Sequence, residues 1–311
     1  MSSESETRGL ARGPGVWIMA TRAPFLTASV IPALMGAFAA FWRTGSLSAS
    51  RLGLTLGGVA CLHIGANLAN DYFDEITGCD RANREPTAFS GGSRVIQEGL
   101  LPASIIMIGA AVFFAAGLAQ GLLLNRMVQG NGVIYLGLAG LACGLAYTAV
   151  PLKLSYRGFG EVVVFMAFGP LLVAGAYLAQ TGSVNTFAIA VSIPAGLLVL
   201  SILMVNEVLD EKWDRLARKL TLVVILGRRR GYLAYLAAYA AAYAWLGVGV
   251  AAGVFPLSAL LALVVPVAVL RHLRPRSALC DRGALVRASG LTTLSQAISG
   301  TVIALSFLLQ R

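Results

Sequence analysis

Apolar residues along this chain come in long blocks parted by short polar stretches. Nine such blocks lie at about 24–42, 52–71, 104–124, 132–150, 159–180, 186–206, 231–253, 255–272 and 288–309, each near the roughly 20 residues that a helix needs to cross a hydrocarbon core. The pattern predicts about nine transmembrane helices, the seventh and eighth divided only by "GVFPLS" (253–258). Residues 1–20 read as a polar tail with no short apolar region followed by a cleavage site. Residues 21–311 read as a single transmembrane domain.

Composition agrees with that class. The chain is 57% hydrophobic and 12% charged, whereas a soluble domain carries about 25% charged residues. The reading is therefore an all-α integral membrane protein whose first partner is the lipid bilayer. With the N-terminus in the cytoplasm, 20 of the 24 Lys and Arg residues fall on the cytoplasmic side and only Arg43, Arg51, Arg126 and Arg311 fall outside. That asymmetry is a strong positive-inside signal; it predicts a cytoplasmic N-terminus and an external C-terminus, in a bacterial or archaeal plasma membrane. The net charge of +10 is this signal together with attraction to anionic lipid; no nucleic-acid motif accompanies it. Cys61 and Cys143 fall inside helices, Cys79 and Cys280 on the cytoplasmic side, with neither pairing nor zinc spacing.

All 14 acidic residues also fall on the cytoplasmic side, and eight of them form two clusters. "NLANDYFDEITGCD" (67–80) ends the second helix with Asp71, Asp74, Glu75 and Asp80, and "NEVLDEKWD" (206–214) ends the sixth with Glu207, Asp210, Glu211 and Asp214. Four spans separate these helices, an even number, so both clusters emerge on one face. Asn67, Asp71 and Asp74 stand at i, i+4 and i+7, Asn70 and Asp74 at i and i+4, and Asn206, Asp210 and Asp214 repeat the four-residue step. Each stripe thus holds an amide and two carboxylates on one helix face, and Glu75 points off it. Carboxylates so spaced repel by a few tenths of a kcal/mol per pair in a helix, so a cation should compensate them.

Magnesium takes oxygen ligands, needs one or two carboxylates, keeps waters and completes its shell with phosphate oxygens. Two facing Asp stripes, Asp71/Asp74 and Asp210/Asp214, therefore fit a Mg²⁺-diphosphate clamp. Basic groups that could assist it are Arg94 in "SGGSRVIQEG", Lys153 and Arg157 in "PLKLSYRG" and Lys219 in "ARKLTLVV". The alternatives are solvated loop charges at helix ends, or a cation channel or antiporter. The latter usually buries acids near the membrane midplane, where this chain places none.

These residues resemble a known family. Asn70-Asp71-x-x-Asp74, with Asp80 beyond, resembles the first aspartate-rich motif of the UbiA superfamily of intramembrane prenyltransferases, and "NEVLDEKWDRLARKLTLVVILG" (206–227) resembles its second. Within it, "TAFSGGSRVIQEG" (87–99), "AYTAVPLKLSYRGFGEVVVFMAFGP" (146–170) and "AYLAQTG" (176–182) look most like the 1,4-dihydroxy-2-naphthoate polyprenyltransferase branch of menaquinone synthesis. The likeness runs from "TRAPFLTASVIPALMG" (21–36) onward. Leu209 stands where a Pro or Arg often precedes the second-motif Asp, and Arg218 replaces a usual Gly.

The resemblance implies Mg²⁺-dependent transfer of a polyprenyl group from its diphosphate to an aromatic acceptor, with loss of CO2 in the naphthoate branch. It assigns Asp71, Asp74, Asp210 and Asp214 to metal and catalysis, and Asn67, Asn70, Asp80, Arg94, Tyr147, Lys153, Tyr156, Asn206 and Lys219 to substrate. The diphosphate would sit between the motifs with its tail in the apolar bundle. Tyr147, Tyr156 and Phe168 could stabilise an allylic cation through their ring faces. Both tyrosines also suit an interfacial belt, His63 an ordinary core position, Glu161 a cap on its own helix N-terminus, and Arg22 either diphosphate or lipid phosphate. Transfer to a different aromatic acceptor, a membrane terpene cyclase using the same clamp, and a transporter or lipid-binding protein without chemistry are the competing functions.

Overall fold

The computed structural model describes residues 13–270, 272, 273, 279 and 281–310. The expected tail up to residue 12, Cys280 and Arg311 lie outside the described residues. Among the described residues regular structure is helical, apart from one isolated bridge between Arg157 and Leu220. The helices of five or more residues are α1 (Pro14–Thr21), α2 (Thr27–Thr44), α3 (Ala49–Ile76), α4 (Ala103–Arg126), α5 (Gly132–Thr148), α6 (Gly160–Thr181), α7 (Thr186–Leu216), α8 (Leu222–Leu226), α9 (Arg228–Ala251), α10 (Leu257–Leu270) and α11 (Arg282–Leu309).

Seven of these, α2 (with the 3-10 turn Ala23–Leu26 before it), α3, α4, α6, α7, α9 and α11, are long and apolar enough to cross a membrane. Helices α5 and α10 occupy the other two apolar blocks and are shorter. α5 ends at Thr148 because Pro151 removes a donor and biases Val150 away from helical backbone. α10 begins only after Pro256, and its first turns, Leu257–Leu263, wind as a 3-10 helix. Residues 14–21, all but the last of them in the expected polar tail, form α1, with Val16 and Ala20 buried.

Local chemistry sets the ends of the long helices. The Asn185 side chain accepts from Ala188 N at the start of α7, and Asp281 accepts from Gly283 N and Ala284 N at the start of α11. Gly45 and Gly182 take the left-handed conformation that stops α2 and α6. Helix α7 is the spine: 67% of its apolar window is buried, against 22% for α4. Its two halves carry two apolar cores, one with α2, α6 and α11, the other with α9 and α11. Helix α6 crosses it closely, since a Cβ on Gly169 would lie 2.9 Å from Gly196 Cα. There α6 widens to a π turn over Ala167–Leu171, around Pro170.

Helices α9 and α11 are joined by hydroxyls. Tyr235 OH pairs with Thr292 Oγ1 at 2.7 Å, Tyr239 OH donates to Ser295 Oγ at 2.9 Å, and Tyr243 OH pairs with Ser299 Oγ at 2.9 Å. At one end of the bundle the start of α3 meets the end of α6, where Ser48 N donates to Gln180 Oε1 at 2.9 Å and Arg51 Nη1 to Gln180 O at 3.2 Å. At the other end the segments 77–102, 149–159 and 217–221 fold together over the ends of α3 and α7.

Candidate active site

The C-terminal ends of α3 and α7 border one cavity of about 140 Å³. Helix α3 brings Asn70 and Asp74 to its wall, the turn after it Cys79 and Asp80, and α7 brings Asn206, Glu207, Asp210 and Asp214. Tyr147 of α5 and Lys219, just before α8, complete that side. A four-residue step keeps side chains on one helix face, so two long helices present both clusters inward.

Asp74 is the most heavily bonded of these acids. Its Oδ2 accepts from Lys219 Nζ and from Asn70 Nδ2, both at 3.2 Å, and its Oδ1 accepts from Tyr156 OH at 2.7 Å. Asp210 Oδ1 accepts from Asn83 Nδ2 at 2.9 Å, and Asp214 Oδ1 accepts from Cys79 Sγ at 3.7 Å. Burial, reinforced by Asp74 and Asp71, pushes the Asp80 carboxyl up to about 7. Burial also pushes the Cys79 thiol up, which leaves it a weak donor rather than a thiolate nucleophile.

Asp71 is held apart from the cavity wall. It is 2% exposed and forms an ion pair with Arg22, while its other oxygen accepts from Ser93 Oγ. Arg22 stands between α1 and α2 in left-handed backbone, φ 51°, and it is Arg22 that lines the cavity. The expected Asp71/Asp74 pair is therefore split, one carboxylate in the wall and one behind a guanidinium. The cation that the repelling stripes require is supplied twice by the chain, as Arg22 on Asp71 and Lys219 on Asp74.

Other expected residues stand in an outer layer. Asn67 Nδ2 donates to Thr21 O at 3.2 Å and tethers the end of α1. Arg94 Nη1 donates to Asp80 O at 2.5 Å, holding the loop that carries the carboxyl. Tyr156 lies behind Asp74, with Lys153 Nζ and Lys219 Nζ each 5.3 Å from its ring centroid. Arg157 donates to Pro151 O at the exposed surface. Phe168 meets His63 edge-on at 5.1 Å, and His63 Nδ1 pairs with Ser29 Oγ of α2 at 2.8 Å, a bonded interior histidine. Glu75 is bonded to Arg81 and Gln97, away from the site. Glu161 caps α8 instead of its own helix: its Oε1 accepts from Leu222 N at 2.7 Å. The Arg157–Leu220 bridge brings that foreign helix start beside it.

Sequence reasoning assigned no cavity role to Asn83, Ser90, Gly92 or Glu207, all of which line it. The "SGG" step was a usable signal. Gly91 and Gly92 both have left-handed φ, and a Cβ on Gly92 would lie 2.4 Å from Asp80 Oδ2. Glycine is what lets this loop close against the carboxyl. Among the described residues no three His, Cys, Asp or Glu side chains converge as a ready-made metal site. The donors that do face the cavity are carboxylate and amide oxygens, the hard set that suits Mg²⁺, which needs only one or two carboxylates alongside water and phosphate oxygens.

Residues 29–289 match the model of the UbiA prenyltransferase family. The chain is similar to the UbiA prenyltransferase domain-containing protein 1 of Dictyostelium discoideum, 31% identical over 233 residues, covering 74% of this chain and 69% of that one. It is similar also to the 1,4-dihydroxy-2-naphthoate octaprenyltransferase of Bacillus subtilis, 30% identical over 230 residues, covering 72% and 70%. Among solved structures, the UbiA homolog from Archaeoglobus fulgidus bound to GPP and Mg²⁺ shares the fold with a TM-score of 0.60 at 15% identity, over 93% of this chain and 99% of that one.

Proposed function

Because the chain belongs to the UbiA prenyltransferase family and is a multi-pass membrane enzyme, we propose that it transfers a polyprenyl group from polyprenyl diphosphate to 1,4-dihydroxy-2-naphthoate, with loss of CO2. The observation that carries this reading is the single cavity in which Asp74 and Asp80 face Asp210 and Asp214. The named activity of the Bacillus subtilis relative supports the acceptor. The ligands named for the Archaeoglobus fulgidus homolog support a prenyl diphosphate and Mg²⁺.

Asp74, Asp210 and Asp214 would hold the metal, joined by Asp71 where Arg22 leaves it for the diphosphate. When bound, Mg²⁺ neutralises the diphosphate and makes it a better leaving group. Lys219 and Arg22 then bind its oxygens by charge-assisted hydrogen bonds, worth about 1.5–3 kcal/mol each. Tyr147 presents an aromatic face to the allylic carbon as positive charge develops. Asn70 and Asn206 orient the groups around them, and Asp80, Asn67, Arg94, Lys153 and Tyr156 hold the walls. The apolar bundle excludes water that would trap the cation as an alcohol.

In this reading the two shorter apolar helices also cross, giving nine spans, a cytoplasmic N-terminus, a cytoplasmic site and an external C-terminus. Orientation rests on the Lys and Arg asymmetry alone. The test is a panel of prenyl diphosphates of graded length and phenolic or naphthoate acceptors, with purified enzyme in detergent and mass-spectrometric detection. Mg²⁺-dependent appearance of decarboxylated prenyl-naphthol is the expected result. Prenylation confined to other acceptors overturns the naphthoate assignment, and acceptor-free hydrocarbon release would identify a cyclase.

A further inference from the structure

Glu161 and Glu207 are two buried acids that the clamp leaves unused. Glu207 stands three residues before Asp210, about 4.5 Å deeper along α7, and lines the same cavity beside Tyr147 and Asn206. It is 6% exposed, and Glu161, on the first turn of α6, is 4% exposed. The two carboxyl groups are within hydrogen-bonding reach of each other. Yet Oε2 of each is buried without a donor, and Glu161 Oε1 is committed to Leu222 N. A proton shared between the two carboxyl groups would satisfy the oxygens that the structure leaves unpartnered. The ionisable groups that act on the pair are Asp214, Lys219 and the Tyr147 phenol.

We infer that Glu207 takes the proton that the aromatic acceptor gives up as its ring carbon is alkylated, and that Glu161 is a positioning residue that orients Glu207 through the shared proton. The inference rests on the proposed prenyl transfer. Its chemistry balances. The bond from the allylic carbon to the diphosphate oxygen breaks with its electron pair on the diphosphate, and a ring π pair forms the new C–C bond. Positive charge spreads to the ring hydroxyl, which becomes strongly acidic, so even a weak carboxylate base receives its proton. The O–H pair becomes a carbonyl π bond. Where the alkylated carbon bore a carboxylate, its C–C pair returns to the ring as CO2 leaves, and Glu207 gives the proton back to oxygen. Where it bore hydrogen, that proton leaves to water as the hydroxyl is restored.

The test compares wild type with Glu207→Gln and Glu161→Gln. Glu207→Gln should lower kcat by about 10²-fold, the lower range for general base catalysis, with the KM for prenyl diphosphate unchanged. An acceptor whose hydroxyl is already ionised at the assay pH should recover much of the loss. Glu161→Gln should move the acid limb of the kcat–pH profile with a smaller loss of rate. Infrared spectra of resting wild type should show a protonated-carboxyl C=O band that the Glu161→Gln/Glu207→Gln double variant lacks. Wild type inactive on every acceptor overturns the prenyl-transfer reading and this inference with it. Active wild type with an unimpaired Glu207→Gln overturns the inference alone. If Glu207→Gln does not purify folded, an unshifted acid limb in Glu161→Gln overturns it.

Discussion

Lys219 Nζ lies 3.2 Å from Asp74 Oδ2, an ion pair that joins the segment after α7 to the end of α3. Lys219 is 13% exposed and Asp74 5%, so neither charge is well solvated. Lys219→Met therefore leaves a buried carboxylate with only Tyr156 and Asn70 as donors, and removing one partner of a buried pair costs about 3 kcal/mol or more. The expected result is a clearly lower Tm in detergent without divalent cations, partly recovered by millimolar Mg²⁺. An unchanged Tm would show that Asp74 is satisfied without the lysine.

The split between Asp71 and the other acids separates two kinds of loss. Asp210→Asn removes a carboxylate from the cavity wall, and losing one charged interaction worth about 1.5–3 kcal/mol weakens a ligand about 10- to 100-fold. Mg²⁺ titration of activity should show that rise for Asp210→Asn. Asp71→Asn leaves Arg22 in the wall without its counter-charge, so its main expected effect is on Tm, with the smaller change in Mg²⁺ requirement. Equal shifts for both variants would mean that Arg22 leaves Asp71 freely.

Much of this arrangement was legible because helices translate spacing into direction. Asp74, Asp210 and Asp214 could be placed on inward helix faces from the four-residue step, and the structure brings them to one cavity. Arg22 was not legible as a partner of Asp71, since no local pattern reports a contact across 49 residues. The bond from Asn67 to Thr21 O was not legible for the same reason, since it spans 46 residues of sequence. Glu161 shows the limit of capping logic, which sees only the helix a residue belongs to. Helices α5 and α10 are shorter than their apolar blocks because the blocks run on to Val150, which Pro151 turns away from helical backbone, and across Pro256, where the helix has not begun.

Arg218 occupies left-handed backbone at φ 56°, one residue before the lysine that closes the site. A side chain there costs roughly 1–2 kcal/mol in steric strain, part of which glycine returns as greater unfolded-state freedom. Arg218→Gly should therefore stabilise the protein by up to about 1 kcal/mol and leave transfer activity unchanged. A fall in Tm would mean that the Arg218 side chain makes a contact that outweighs its backbone strain.

The hydroxyl series between α9 and α11 gives a separate measure of what holds the bundle. Tyr239 is 1% exposed and Ser295 0%, and their hydrogen bond lies among apolar side chains where an unmatched hydroxyl has no water to turn to. Interhelical hydrogen bonds of this kind average about 0.6 kcal/mol and reach about 1.7 in membrane proteins. A double-mutant cycle of Tyr239→Phe and Ser295→Ala, read by unfolding in mixed micelles, should give a coupling in that range. Tyr239→Ala, which also empties the space of a buried ring, should cost about 3–5 kcal/mol. If the cycle gives no coupling while Tyr239→Ala remains costly, ring packing rather than hydroxyl pairing joins the two helices.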